Sequence, residues 1–203
     1  MKMLLIRHAQ TTENAEKRYQ GHIHGNLSNL GKKQTQRLAE ALKEEKIDFF
    51  YGSPLGRAKE TLEAVRVHHS HLQAVFTDAL KERGKGAFEG KTIQEVEEQQ
   101  PGTLKKMRDP RYQPPGGESL EQVNARLHPF LVELPEKHAG KTVLVVGHHV
   151  LNNQILRVYL DTQAEFAQHN ACINELFIQP PNVRVMRLND YSHVKGLETP
   201  AYV

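Results

Sequence analysis

An α/β three-layer sandwich, with a mainly parallel central sheet flanked by helices and a lid-like excursion, is the fold this sequence predicts. Three observations lead there. Short apolar runs without polar alternation, Met3–Ile6 and Thr142–Val146 above all, read as strands buried on both faces. Stretches of helical periodicity separate them, as helical crossovers between parallel strands require. A chain of 203 residues that is 38% hydrophobic can also bury a full core without staples.

The elements follow in order. The strand at Met3–Ile6 runs directly into Arg7 and His8. Leu30–Lys46 carries Leu30, Ala39, Ala41 and Leu42 among Gln, Lys and Glu, the pattern of an amphipathic helix of about four turns. Ile47–Tyr51 is a second strand, ending at Gly52-Ser53-Pro54. Ser53 suits an N-cap and Pro54 a first helical position, for a helix running to His69. Leu72–Phe76 reads as a third strand. From Thr77 to Glu118 the chain is broken by Gly84, Gly86, Gly90, Pro101, Gly102, Pro110, Pro114, Pro115, Gly116 and Gly117. It reads as an excursion off the core with one helix over Thr92–Gln100, and its length favours a functional lid. Ser119 and Gln122 form a capping box for a helix to Lys137, which Pro129 is expected to kink or shorten. Thr142–Val146 is the clearest strand, ended by Gly147-His148-His149 and followed by a helix over Val150–Leu160. Cys172–Gln179 and Val183–Leu188 flank Pro180-Pro181-Asn182 and predict an antiparallel edge pair. Residues 1–203 read as a single domain, with the excursion at 77–118 inside it.

Composition narrows the function. Net charge is +3, Trp is absent and aromatics are 6% of the chain, so a basic stripe with stacking platforms is not expected, and neither is a nucleic-acid partner. No run approaches the roughly 20 apolar residues of a membrane span. Met1 to Arg7 is too short for a secretory leader. The single Cys172 permits neither an internal disulfide nor a Cys-based zinc site, which suits a cytoplasmic protein. The 12 histidines are the unusual feature, and their positions decide what they do.

In mainly parallel sheets the ligand site lies beyond the carboxyl ends of the strands. There the sequence places Arg7-His8, Ser53 with Arg57 one turn into a helix, and Gly147-His148. Two guanidiniums and two imidazoles suit a phosphate group. Arginine presents a planar fork to phosphate oxygens and stays charged. One charge pair about 4 Å apart contributes roughly 4 kcal/mol at an effective dielectric of about 20, so a dianion leaving water needs more than one cation. A helix N-terminus at Arg57 adds amide donors. Flanking arginines disfavour an imidazolium and keep a ring nitrogen free to attack phosphorus. The leaving oxygen then needs an acid. Arginines can neutralise the charge, so no metal and no cofactor are expected. Taken alone, Arg57 also reads as a surface helix residue paired with Glu60.

These residues carry a resemblance. Leu5-Ile6-Arg7-His8-Ala9-Gln10-Thr11-Thr12-Glu13-Asn14 is similar to the signature of the histidine phosphatase superfamily, the phosphoglycerate-mutase-like family. Ser53-Pro54-Leu55-Gly56-Arg57-Ala58-Lys59-Glu60-Thr61 resembles its second block. Leu80-Lys81-Glu82-Arg83-Gly84-Lys85-Gly86-Ala87-Phe88-Glu89-Gly90 resembles the block that carries its acid. Pro115-Gly116-Gly117-Glu118-Ser119 resembles its small phosphatases, and Val145-Val146-Gly147-His148 its second histidine. The blocks come in family order over about Met3 to His193. The resemblance implies His8 as nucleophile, Glu82 as proton donor, and Arg7, Arg57 and His148 as phosphoryl ligands. It also implies Asn14 as a pocket residue and a phosphohistidine intermediate. Glu89, Glu95 and Asp78 compete with Glu82 in the same excursion. Two positions depart from the family pattern: Ala9 stands for the usual glycine, and His149 for a small residue, where it narrows the pocket or meets substrate.

Other features admit two readings each. Gln20-Gly21 and the following His22 and His24 line the pocket mouth, or the histidine pair is a loop or a metal-binding pair. His68, His69 and His71 read as a solvated helix end. Lys105, Lys106, Arg108 and Arg111 form either a solvated lid or a second anion site. Gly116 and Gly117 serve the turn into the next helix, and Glu118 could reach the site. The leading function is hydrolysis of phosphomonoesters. Alternatives are a cofactor-dependent phosphoglycerate mutase and a non-catalytic phosphate-binding regulatory module. A small phosphorylated metabolite is the expected partner, and a homodimer the one self-association considered.

Overall fold

The computed structural model describes residues 1–197; residues 198–203 of the span read as one domain lie outside the described residues. Six strands form one sheet in the order β3-β2-β4-β1-β5-β6. β1 (Lys2–Arg7) pairs in parallel with β4 (Thr142–Gly147), with Arg7 opposite Gly147. β4 pairs in parallel with β2 (Phe49–Gly52), and β2 with β3 (Ala74–Phe76). On the other side, β5 (Ile173–Gln179) runs antiparallel to β1, and β6 (Asn182–Asp190) antiparallel to β5. β5 is therefore the reversed strand of a mainly parallel sheet.

The unbroken apolar runs are explained by two cores. Met3, Leu5, Val143 and Val145 face one layer, where they meet Leu127 and Leu131 of α6 (Leu120–Lys137) and Leu151 and Ile155 of α7 (His149–Leu160). Leu4, Ile6, Leu144 and Val146 face the other, against Leu38 and Leu42 of α2 (Asn29–Leu42) and Leu62 and Val65 of α3 (Gly56–Arg66). Successive strand residues point to opposite faces, so a strand covered on both sides needs apolar residues at every position. Each such side chain contributes roughly 1.5–3 kcal/mol on burial. The register aligns the carboxyl ends of β1, β2 and β4, because Gly52 lies opposite Val146 and Arg7 opposite Gly147. His8, Ser53 and His148 leave the sheet side by side.

The structure moves several predicted boundaries. α2 stops at Leu42 rather than Lys46, since Lys43-Glu44-Glu45-Lys46 offers no apolar side chain to continue the buried face. Its N-cap is Ser28, whose Oγ accepts from the Gly31 amide. β2 begins at Phe49, two residues after Ile47, and β3 at Ala74, two after Leu72. Ser53 does not cap α3: its Oγ accepts from the Leu55 amide, and the helix starts at Gly56, whose amide donates to Nδ1 of His24. α3 ends at Arg66, and Val67–His69 form a 3₁₀ turn. Within that turn His69 is not solvated. It is buried against Phe50, and its Nε2 donates to the Leu42 carbonyl at 3.2 Å, while His68 and His71 are exposed.

Pro129 does not shorten α6, which runs 18 residues through Pro129 and Pro135. Burial of Val123, Leu127, Leu131 and Leu134 along one face outweighs the lost hydrogen bonds. In the excursion, α4 (Ile93–Gln99) sits inside its predicted limits, capped by Thr92 and Glu95. Two single-turn helices, α1 (Thr12–Ala15) and α5 (Thr103–Lys106), were too short to show a periodicity. β6 starts at Asn182, so the turn before it is Pro180-Pro181. No described helix is long and apolar enough to cross a membrane.

Candidate active site

His8 is the first residue beyond β1, and its amide donates to the Gly147 carbonyl at 3.1 Å. Its ring is buried, and Nδ1 lies 2.7 Å from the carbonyl oxygen of Ala9. The Ala9 amide donates to Thr61 Oγ1, which donates to the Arg57 carbonyl, so the turn after β1 is tied to α3. Ala9 packs in the α2–α3 core, which accommodates its methyl. Asn170 Nδ2 donates to the His8 carbonyl at 3.1 Å and to Asn14 Oδ1 at 3.3 Å. The His148 ring stands 5.1 Å from that of His8, inclined at 59°. His148 is fully buried at the N-cap of α7, and neither of its ring nitrogens has a hydrogen-bond partner among the described residues.

The two arginines come from different elements. Arg7, at the end of β1, donates to the Gln168 carbonyl. Arg57, on the first turn of α3, sends Nη1 to the carbonyls of Ile23 and His24 and Nη2 to that of Gly21. It therefore makes no surface pair with Glu60. Its Nε is buried without a hydrogen-bond partner among the described residues, a donor still open to a ligand. Burial, then Arg57 and Arg7, hold His8 well below its ordinary value. Burial and Arg57 hold His148 down likewise. Burial and Arg7 bring His149 down to about 4. At neutral pH all three rings are uncharged.

Glu82 meets α7 end-on. Its Oε2 accepts from the Val150 amide at 3.1 Å, and its Oε1 from those of Leu151 at 3.2 Å and Arg83 at 2.8 Å. It does from a distance what a helix N-cap does locally. The competing acids are engaged elsewhere. Glu89 accepts from the amides of His22, Lys85 and Gly86, Glu95 caps α4, and Asp78 pairs with Lys81 at the surface.

Of the residues singled out from the sequence, Arg7, His8, Asn14, Gln20, Gly21, Arg57, Glu82 and His149 line one cavity of about 160 Å³. His148 adjoins that cavity from beside His8, fully buried with its ring 5.1 Å from the His8 ring. His22 and His24 diverge: His22 Nε2 donates to the Glu82 carbonyl at 2.8 Å, and His24 caps α3. Arg108 borders a second cavity, whereas Arg111 is exposed and pairs with Asp109. Glu118 stays one shell back, accepting from the Gly84 amide and pairing with Arg126 at 2.8 Å. Arg126 also donates to the carbonyls of Ala79, Lys81 and Glu82, and so holds the strand of chain that presents Glu82. Sequence reasoning missed Arg126, and it missed Tyr19 and Lys85, which line the same cavity as His8. Arg126 has a helical spacing of eight from Glu118 across a helix start, a faint signal; Tyr19 and Lys85 have none.

The fold and this pocket define an α/β protein whose site offers two guanidiniums, an uncharged imidazole and a carboxyl group to one small anion. The chain belongs to the histidine phosphatase superfamily (branch 1), whose family model matches residues 3–191. It is 32% identical over 200 residues to phosphoserine phosphatase 1 of Hydrogenobacter thermophilus, covering 96% of this chain and 94% of that one. It is 35% identical over 150 residues to phosphoglycerate mutase-like protein 4 of Arabidopsis thaliana, covering 72% of this chain and 65% of that protein. Among solved structures, mycobacterial glucosyl-3-phosphoglycerate phosphatase in complex with VO3 superposes with a TM-score of 0.84 at 26% identity, covering 93% of this chain and 98% of that one. Family and relatives together support phosphatase activity.

Proposed function

We propose that the protein hydrolyses phosphomonoesters without a metal ion, through a phosphohistidine on His8 and with Glu82 as proton donor. The observation that carries this reading is the contact from His8 Nδ1 to the Ala9 carbonyl. A carbonyl oxygen only accepts, so Nδ1 bears the proton and Nε2 of the uncharged ring keeps its lone pair. Nε2 attacks phosphorus, the ester P–O bond breaks in line, and the leaving oxygen takes the proton of Glu82. Glu82, now a carboxylate, then draws a proton from water as that water attacks the phosphohistidine. Inorganic phosphate leaves, and both groups return to their starting states.

Arg7 and Arg57 hold the phosphoryl oxygens, Arg57 through its open Nε. His148 and Asn14 complete the cradle, Asn14 held by Asn170. Gln20 and Gly21 form the mouth, and His149 borders the leaving group. Hydrolysis is preferred to mutase chemistry because the match to a named phosphatase spans 96% of the chain, against 72% for the mutase-like relative.

The test is phosphate release from an aryl phosphate in the presence of a chelator, and its loss in His8→Ala. A coupled mutase assay, with and without bisphosphoglycerate, distinguishes transfer to water from transfer back to substrate. Tight phosphate binding without turnover on any substrate would point to the binding-module alternative.

A further inference from the structure

His22 is the ring at the edge of the site that the reaction above leaves unused. It borders neither the cavity that holds His8 nor the larger one of about 900 Å³ beside it, and so stands outside the walls that substrate meets. Its Nε2 lies 2.8 Å from the backbone carbonyl oxygen of Glu82 and 3.3 Å from Oε2 of Glu118. A carbonyl oxygen only accepts, so Nε2 carries the proton and donates it there. Arg126 Nη2 donates to the same carbonyl at 3.0 Å. Two donors from separate parts of the chain therefore fix the peptide group of Glu82.

The ring is itself held firmly. The His22 amide donates to Glu89 Oε1 at 2.9 Å, and the ring packs on Gly84, where an added Cβ would stand 3.4 Å from its Cε1. The carbonyls on either side of His22, those of Gly21 and Ile23, accept from Nη2 and Nη1 of Arg57. Gly21 has a φ of +49°, and a Cβ there would run into the Glu89 carboxylate, so the turn that delivers His22 requires glycine. One short loop thus runs from the arginine at the phosphoryl pocket to the backbone of the acid.

Resting on the phosphatase reading, we infer that His22 is a positioning residue for proton transfer: its Nε2–H, presented by the loop that Arg57 grips, sets the place of the Glu82 backbone and so aims the Glu82 carboxyl at the leaving oxygen. The amides of Arg83, Val150 and Leu151 fix where the Glu82 oxygens end. The bonds from His22 and Arg126 fix where that side chain begins. Delivery of a proton at the moment of bond breaking needs both, because catalysis falls steeply when a reacting group is misplaced.

The experiment reads a ratio: kcat/KM on glycerol 1-phosphate, an alkyl ester, over kcat/KM on 4-nitrophenyl phosphate, whose leaving group hardly needs a proton. Both values come from one sample, so the fraction of protein that folds does not enter the ratio. His22→Leu removes the donor, and His22→Asn is too short to reach the carbonyl. Either should lower the ratio about tenfold or more. His22→Gln brings an N–H to the same carbonyl and should hold the ratio within about threefold of the unmodified protein. In a Glu82→Gln background the same substitutions should move the ratio no further, since no acid is left to aim. Equal losses on the two esters overturn the inference, as does an unchanged ratio, a fall that persists in the Glu82→Gln background, or a His22→Gln ratio as low as that of His22→Leu. The two levels separate cleanly. A Glu82→Gln variant that lowers the ratio while the His22 variants do not sinks this inference alone. No phosphate release from either ester, or a ratio that Glu82→Gln leaves unmoved, sinks the phosphatase reading or its acid, and the inference with it.

Discussion

The Nδ1–H of His8 donates to the carbonyl oxygen of the next residue, Ala9, across 2.7 Å. The bond is local, so the turn that ends β1 sets the ring's orientation and its tautomer together. Thr61 fixes that turn in place by accepting the Ala9 amide. Burial and the two arginines then keep the ring uncharged. Loss of nucleophile by protonation should therefore begin well below pH 6.5. A pH profile of kcat/KM whose acid limb, assigned to His8 by NMR titration, lies at or above pH 6.5 would contradict this.

Glu82→Gln separates the acid from the nucleophile. An alkyl leaving group needs a proton and an aryl one with an acidic phenol hardly does. The variant should lose about 10²–10⁴-fold in kcat on alkyl phosphates and far less on a nitrophenyl phosphate. Equal losses on both would place Glu82 outside proton transfer. Because its carboxyl oxygens also accept from the Val150 and Leu151 amides, Glu82→Ala should cost about 1 kcal/mol of stability more than the glutamine variant.

Arg57 should resist conservative replacement. Its two terminal nitrogens hold the carbonyls of Gly21, Ile23 and His24, and its Nε faces no protein acceptor among the described residues. Lysine keeps the charge but cannot fill three loop acceptors and a phosphate oxygen at once. Arg57→Lys should lose about 10²–10³-fold in kcat/KM and open the 20–25 loop to proteolysis. Near-normal activity with an intact loop would refute the double role.

The rim was legible because it follows from strand order. Arg7, His8, Arg57 and His148 stand next to strand ends in the sequence, and the parallel register brings those ends together. Glu82 lies in an irregular segment where periodicity says nothing, and its position came from resemblance. The same holds for what surrounds it. Arg126 reaches Glu82 through backbone carbonyls, and a guanidinium bound to carbonyls leaves no pattern in side-chain types. His24 capping α3 was hidden for a related reason. The cap comes from 32 residues earlier, whereas Ser53-Pro54 looked sufficient locally. Lys85 reads as one of many surface lysines until the fold encloses it.

Stability should fall with acidification below neutrality. His8, His148 and His149 all have folded-state values below the ordinary histidine value of about 6.5, His149 at about 4. As pH falls below 6.5 the unfolded chain takes up protons that the folded chain refuses, so the unfolded state gains. The contribution is intact above pH 6.5 and declines through the window from 6.5 toward 4 and below. Urea midpoints measured from pH 7.5 to 5 should drop, and replacing His149 by Gln should flatten part of that slope. A midpoint that rises toward pH 5 would contradict the buried, uncharged state of these rings.

Rapid acid-free quenching of the enzyme during turnover, followed by mass spectrometry of its peptides, tests the nucleophile most directly. The expected result is one acid-labile phosphoryl group on the peptide containing His8, formed and consumed fast enough to account for kcat and absent from His8→Asn. Phosphate release at the normal rate with His8 never phosphorylated, or undiminished turnover in His8→Asn, would contradict it.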